Sequence, residues 1–366
     1  MTSKLALVVG ARPNFMKAAP LIKELHRFPD RFTPALIHTG QHYDHKLSKL
    51  FFDELNMPRP DVYLGVGSGT HAEQTAKIMI ALEKTFLDDR PDLVIVFGDV
   101  NSTLAAAVVT SKLCLRLAHV EAGLRSFDNA MPEEINRIVT DRLSDYLFAS
   151  EKSGLVNLKQ EGTPESKIFF VGNIMIDSLA GNLEKARQSD ILDRLGLHSQ
   201  GYVAMTMHRP ANVDNPELLG SILDTVRTIS RKIPVVFPCH PRTRKMIEEN
   251  NLGDIDNSAD LRMLNPLGYL EFLHLQSEAK FVLTDSGGIQ EETTYLRIPC
   301  LTVRENTERP STVEVGSNII TGTDPEKILE AADNVLAGNS KIGTIPDLWD
   351  GHTAERIVEI LKKLPL

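Results

Sequence analysis

Three carboxylates and a Ser-Gly-Gly turn carry the chemistry of this 366-residue chain. Asp99 follows the apolar run Leu93 to Phe97 through Gly98, Glu121 follows Leu117 to Val120, and Glu133 stands beside Pro132 at a helix start. Two strand ends and a helix start can converge on one place, and three acids there suit proton transfer, one accepting while another donates. Each also has a structural alternative: Asp99 precedes Asn101 and Ser102 as a cap would, and Glu133 complements a helix dipole. The segment Asp285 to Glu292 joins the run Lys280 to Thr284 directly to a helix-like stretch. A strand that delivers two glycines into a first helical turn presents unpaired N–H groups and the positive end of the dipole, which is an anion site. Ser286, Gly287 and Gly288 are its cradle, and Glu292, about one and a half turns on, can accept bonds from sugar hydroxyls. Arg304 and Arg309 follow the next apolar run and either can add positive charge.

Further candidates sit at other strand ends. Arg12 and Lys17 follow the first run, Leu5 to Val9; Arg12 can fork onto a phosphate, and Lys17 is either a point charge at the helix start or part of a solvated face. Neither G-x-x-x-x-G-K nor G-x-G-x-x-G occurs in this turn, so the ATP and NAD signatures both fail. His208 and His240 follow two successive strands and can bond a diphosphate or move a proton. His38, His42 and His45 lack an accompanying cysteine or carboxylate pattern, and no metal site is expected.

The elements that position these residues alternate strand and helix. Runs at Leu5 to Val9, Ala35 to His38, Leu93 to Phe97, Leu117 to Val120, Tyr146 to Ala149 and Ile168 to Val171 read as buried strands. The pattern restarts at Tyr202 to Thr206, Val235 to Pro238, Phe281 to Thr284, Cys300 to Val303 and Asn318 to Thr321. The expected architecture is α/β, two Rossmann-like doubly wound domains facing across a cleft lined by strand-end loops. The boundaries fall at 1–172, 173–350 and 351–366, the last being a helix with Ile357, Ile360, Leu361 and Leu364 on one face.

Bulk properties fit a globular protein. A net charge of −9 argues against a nucleic-acid or membrane-surface binder, which needs a broad positive field. Cys114, Cys239 and Cys300 read as reduced core thiols, and the first apolar run is too short for a signal peptide. A cytoplasmic setting follows, with no membrane span.

The segments GARPNFMK (10–17), TGQHYD (39–44), FGDVNSTLA (97–105), HVEAGLRS (119–126), MPEEINR (131–137), MTMHRP (205–210), HPRTR (240–244), LTDSGGIQEE (283–292) and ENTERP (305–310) together resemble the non-hydrolysing UDP-N-acetylglucosamine 2-epimerases, nearly end to end. The resemblance implies a glycosyltransferase-B type fold, a homodimer, a last helix packed on the first domain, and interconversion of UDP-GlcNAc and UDP-ManNAc. In that family, UDP is eliminated to give 2-acetamidoglucal and then added back. Matching positions imply that Asp99, Glu121, Glu133 and His208 are catalytic. They also imply that Arg12, Lys17 and Arg309 meet the diphosphate, Ser286, Gly287 and Gly288 hold phosphate, Glu292 takes the ribose and Phe272 lies by the uracil. No net redox occurs, so neither NAD nor a metal is implied.

The chain departs from the bacterial pattern at Asp44, Pro210 and Ala211, where many relatives carry residues that help hold a second, activating UDP-GlcNAc. Substrate activation is therefore not carried over. Two alternatives share most motifs: a 2-epimerase of UDP-2,3-diacetamido-2,3-dideoxy-glucuronic acid, and a UDP-sugar glycosyltransferase, which usually needs only one base.

Overall fold

The computed structural model describes residues 2–41, 58–252 and 260–365. The chain forms two compact units, one of residues 1–181 with 347–366 and the other of residues 182–346. Each is built on a parallel sheet, and among the described residues helices join every pair of successive strands except β2 and β3.

In the first unit the strands are β1 (Ser3–Val9), β2 (Phe32–His38), β3 (Val62–Tyr63), β4 (Leu93–Phe97), β5 (Arg116–Ala122), β6 (Tyr146–Ala149) and β7 (Ile168–Phe170), in spatial order β3-β2-β1-β4-β5-β6-β7. β1 and β4 pair directly, Leu5 with Leu93 through Val8 with Val96, and bury every residue from Leu5 to Val9 and Leu93 to Phe97. Covered on both faces by helices, they read as continuous apolar runs rather than alternating ones. The helix His71–Asp88 shows how the covering forms: Thr70 accepts from the Glu73 N–H in a capping box, and Ile78, Leu82 and Phe86 recur every four residues on the buried face.

The second unit comprises β8 (Val203–Thr206), β9 (Val235–Pro238), β10 (Leu261–Leu264), β11 (Phe281–Thr284), β12 (Cys300–Thr302) and β13 (Asn318–Ile320), ordered β10-β9-β8-β11-β12-β13. Here β8 pairs with β11, as β1 does with β4. Both units are therefore doubly wound, each with its switch point beside its first strand.

Two strands, β3 and β10, were not expected from the sequence. Both lie at a sheet edge, where one side faces away from the core and no apolar run is required; β3 is two residues long, and β10 carries Arg262.

The changeover between units falls at Gly181/Asn182, inside the helix Ile174–Ala186, rather than at 172/173. Its first two turns belong to the first unit because Ile174, Met175, Ile176 and Leu179 are buried there and Asp177 accepts the Thr353 and Ala354 N–H groups at 3.1 and 2.7 Å. The returning segment joins the first unit from Asp347. Trp349 donates to the Ser150 carbonyl at 2.9 Å, and the helix Thr353–Leu361 packs on the helix Arg12–Leu25. Its buried face is Ala354, Ile357, Val358 and Leu361; Ile360 and Leu364 are only half-buried. Cys239 and Cys300 are buried, but Cys114 is exposed, at φ 51° in the turn that ends the helix Asn101–Lys112. Among the described residues no helix is long and apolar enough to cross a membrane.

Candidate functional site

In the first unit the strand ends β1, β4 and β5 bring together Lys17, Gly98, Asp99 and Glu121. Lys17 lies in the helix Arg12–Leu25, and that helix starts hard against the sheet because Asn14 caps its own loop. Asn14 Oδ1 accepts the Gly10 and Ala11 N–H groups at 3.2 and 3.1 Å, while its Nδ2 donates to the Phe97 carbonyl at 2.9 Å. Lys17 is thereby buried, not solvated, and its Nζ forms an ion pair with Glu121 Oε2; their side chains are 7% and 5% exposed. Gly98 makes room for the pair. A Cβ there would stand 2.9 Å from Lys17 Nζ and 3.4 Å from Glu121 Oε2, and its φ of 60° also favours glycine. Glu121 itself sits at φ 76°, left-handed for a residue with a side chain, where the pairing of β5 with β6 shifts register between Val120 and Ala122. The bulge turns this carboxylate out of the ladder toward Lys17.

Asp99, two residues beyond β4, keeps a third of its side chain exposed, with Oδ2 3.5 Å from Arg137 Nε. Its carbonyl accepts from Asn136 Nδ2 at 2.8 Å, which ties the helix Pro132–Leu143 to the end of β4. Glu133 and Glu134 open that helix with different roles. Glu134 is buried; it accepts the Ser126 and Phe127 N–H groups at 2.9 Å each and lies 3.1 Å from Arg137 Nη1. Glu133 is half-buried and has no bonding partner among the described residues, which leaves it available to a substrate. No sequence motif singles out Arg137; only its burial between Asp99 and Glu134 marks it, and burial is not visible in one sequence.

Arg12 is the first residue of its helix, but its side chain lies outside the described residues, as do His42, Asp44 and His45. His38 is buried against the rings of Phe15 and Tyr63, at 4.9 and 5.0 Å between centroids, and accepts the Gly40 N–H at 2.7 Å. Burial pushes its imidazolium down to about 4. Among the described residues no group of three His, Cys, Asp or Glu is placed to hold a metal ion.

In the second unit the turn after β11 is a helix N-terminus. Ser286 is the N-cap of the helix Gly287–Leu296; its own N–H is bound by Thr284 Oγ1 at 3.0 Å, and its side chain makes no cap bond to the first turn. Arg309 stands over this turn. A Cβ on Gly287 would lie 2.7 Å from Arg309 Nη1, whereas one on Gly288 would meet nothing within 4 Å. N–H donors, a dipole end and a guanidinium thus converge on open space, the arrangement that binds a phosphate.

Acids hold Arg309 in place: its Nε donates to Glu291 Oε1 at 2.6 Å, and Nη1 lies 3.4 Å from Glu308 Oε2. Burial alone would raise the Glu308 carboxyl; Arg304, Arg309 and Arg209 overcome that and hold it far below the usual carboxylate range. Arg304 spends its guanidinium on Glu308, at 3.1 and 2.8 Å, so of the two arginines left open by the sequence, Arg309 is the one beside the glycines.

Asp285 does not face the anion site. It is wholly buried, accepting the His208 N–H at 3.1 Å and the Arg209 N–H at 2.8 Å, with Asn212 Nδ2 at 3.3 Å. Burial opposes its charge, but His208 and these donors lower its carboxyl below the ordinary range. His208 is half exposed, with Nδ1 3.3 Å from Asp285 Oδ1 and its ring 6.0 Å from that of His240. His240 serves as a cap, accepting the Arg242 N–H at 3.2 Å. Pro210 and Ala211 lie in the short helix Pro210–Val213, whose Asn212 also donates to the Val303 carbonyl at 2.9 Å. Glu292 is buried and takes a bond from Gln276 Nε2, and Phe272, on the helix Tyr269–Ser277, packs half-buried on the cluster of Tyr202, Ala204, Leu275 and Val282.

The chain as a whole is similar to known proteins. A UDP-N-acetylglucosamine 2-epimerase of Methanocaldococcus jannaschii is 45% identical over 365 residues, 98% of each chain. The UDP-2,3-diacetamido-2,3-dideoxy-D-glucuronate 2-epimerase of Pseudomonas aeruginosa is 39% identical, covering 99% of this chain and 100% of the relative. A crystal structure of the M. jannaschii UDP-GlcNAc 2-epimerase in complex with UDP-GlcNAc and UDP superimposes with a TM-score of 0.91 at 44% identity, over 99% of this chain and 100% of that one. A lipopolysaccharide outer core galactosyltransferase, 14% identical with a TM-score of 0.55 over 99% and 100% of the two chains, shares the fold alone, which is of glycosyltransferase-B type. With residues 23–362 also matching the family model for UDP-N-acetylglucosamine 2-epimerase, the chain belongs to the UDP-N-acetylglucosamine 2-epimerase family.

Proposed function

We propose that this protein interconverts UDP-GlcNAc and UDP-ManNAc. The observation that carries the reading is full-length likeness, at 44% identity, to a 2-epimerase crystallised with UDP-GlcNAc and UDP. The proton on carbon 2 is not next to a carbonyl, so direct deprotonation is too costly. Loss of UDP from carbon 1 makes it removable: the C1–O bond breaks, the C2–H electrons form the C1–C2 double bond of 2-acetamidoglucal, and the proton passes to a carboxylate. Addition of UDP then reforms the C1–O bond while a proton arrives on the opposite face of carbon 2. The reaction needs proton-transfer groups for two faces and positive charge for a departing diphosphate.

The first unit supplies the former in Asp99, Glu121 and Glu133. Glu121, beside the Lys17 ammonium, and Glu133, with no competing bond among the described residues, are best suited to exchange protons with the sugar. The second unit supplies the latter in the turn Ser286, Gly287 and Gly288, with Arg309 above it and His208 at the neighbouring strand end. Arg12 is assigned to the diphosphate, Glu292 to the ribose and Phe272 to the uracil. The reading also includes a homodimer in the cytoplasm, and sedimentation of the purified chain tests the dimer.

A second reading is favoured by the P. aeruginosa relative, 39% identical over 99% of this chain: the sugar is UDP-2,3-diacetamido-2,3-dideoxy-glucuronic acid. One experiment decides. Incubated with UDP-GlcNAc in heavy water, the protein should place deuterium on carbon 2 and form the manno epimer. Absence of both, with turnover of the diacetamido uronate, moves the assignment to the second sugar; failure with both sugars refutes the epimerase reading.

A further inference from the structure

The three acids stand on three separate pieces of chain, and one buried pair joins all three. His119, in β5, is wholly buried. Its Nδ1 lies 2.6 Å from Asp141 Oδ1 and its Nε2 lies 2.8 Å from the Gly98 carbonyl. Asp141 is on the helix Pro132–Leu143, which begins with Glu133; Gly98 is the residue before Asp99; and His119 is two residues before Glu121. Asp141 Oδ2 also accepts the Gly123 N–H at 3.0 Å, so the pair grips β5 on both sides of the Glu121 bulge. Arg125 Nη1, 2.7 Å from Asp141 Oδ2, completes the set, and its Nε and Nη2 bind Glu161 at 2.7 Å each.

The partners dictate the state of the ring. A carboxylate and a carbonyl accept hydrogen bonds and donate none, so both bonds to His119 require an N–H on each ring nitrogen. Asp141 does not supply the proton in its place, because the Gly123 N–H and the Arg125 guanidinium on its Oδ2 favour the ionised carboxylate. Burial works against the Asp141 charge, yet His119 and Arg125 hold its carboxyl below the ordinary range. The cations His119 and Arg125 are then balanced by the anions Asp141 and Glu161. Glu161 is exposed, but His119, Asp141 and Arg125 are buried; buried charges of this kind add little net stability compared with apolar packing, but they fix geometry closely, because leaving one of them unpaired is costly.

We infer that His119 and Asp141 are positioning residues for the reaction proposed above: a doubly protonated His119 clamps the ends of β4 and β5 to the helix of Glu133 and so sets the relative placement of Asp99, Glu121 and Glu133. Neither side chain is placed to reach the substrate; each acts through the backbone that carries an acid.

The test uses the full chain labelled with 15N-histidine, the His119 signals being assigned by their loss in His119→Gln. Both ring nitrogens should carry protons at pH 7.5, and a nitrogen without one overturns the inference. In His119→Gln and Asp141→Asn, kcat should fall about 100-fold, as expected for displaced reacting groups. UDP affinity and KM should stay within about threefold, since the anion-binding turn is untouched. An unchanged kcat in a variant that melts earlier reduces the pair to an ordinary structural contact and also overturns the inference. Should a variant fail to fold, the ring protonation of the unmodified chain decides the matter. If the unmodified chain epimerises neither sugar, the proposed function is what fails; if it is active and the variants match it, this inference fails alone.

Discussion

Asp99 and Asp285 hold the same topological place in the two units and do opposite things. Each follows the strand that pairs with the first strand of its unit, β4 beside β1 and β11 beside β8. Yet the Asp99 side chain is 32% exposed, while Asp285 is sealed in, gathering the N–H groups of His208 and Arg209. The difference originates one loop away. After β1, the Gly10 and Ala11 N–H groups are satisfied within their own loop by Asn14. After β8, the corresponding N–H groups turn to Asp285. A loop that caps itself leaves the acid at the switch point available for chemistry; one that does not turns the same acid into an anchor. Fold position alone therefore does not assign a catalytic role.

The largest test of this contrast is at Glu121. Glu121→Gln should lower turnover about 100-fold or more as a proton-transfer group is lost. It should also destabilise the protein by about 3–5 kcal/mol, because the buried Lys17 ammonium loses its carboxylate. Adding Lys17→Met should restore most of the stability seen in denaturant titrations but none of the turnover. A double variant as unstable as the single would show that the pair is not what holds this site.

Next come the two aspartates. Asp99→Asn is expected to cut turnover about 100-fold, with stability within about 0.5 kcal/mol of the unmodified chain. Asp285→Asn should instead cost about 1–3 kcal/mol through its stranded donors. The sign of the pH effect follows from the lowered Asp285 carboxyl: its contribution is fully present above the unfolded value of about 3.9 and is lost as pH falls through the folded value. Denaturation curves below about pH 4 should thus be flatter for Asp285→Asn than for the unmodified chain. Matching behaviour of the two variants would dissolve the contrast.

The smallest expected effect separates the two glycines. Gly287→Ala pushes a methyl group against Arg309 and should weaken UDP about tenfold, or roughly 1.4 kcal/mol by calorimetry. Gly288→Ala, with nothing nearby to meet, should bind UDP within about twofold. Equal losses at both would remove Arg309 from the cradle.

What could be read from the sequence follows from how locally each feature is encoded. The central strands were legible because burial on both faces writes an uninterrupted apolar run, and the strand-to-helix turn at Ser286 because two glycines follow such a run directly. Edge strands β3 and β10 write no such run. Lys17 was open between a surface and a site because its partner lies 104 positions on, at Glu121, and one sequence carries no trace of that pairing. His119 and Asp141, 22 residues apart, were invisible for the same reason, as was the focus of Arg209, Arg304 and Arg309 on Glu308. Cys114 misled because it follows an apolar helix, while the turn it occupies points outward.

Trp349 is the only tryptophan in the chain, and it lies buried in the returning segment with its indole N–H on the Ser150 carbonyl. Its fluorescence is therefore a built-in gauge of one unit. Undocking of residues 347–366 from the first unit exposes the indole and shifts its emission, whereas melting of residues 182–346 alone leaves that emission unchanged. Compared with circular dichroism, which sees both units, a single tryptophan resolves whether the two units unfold together or in turn.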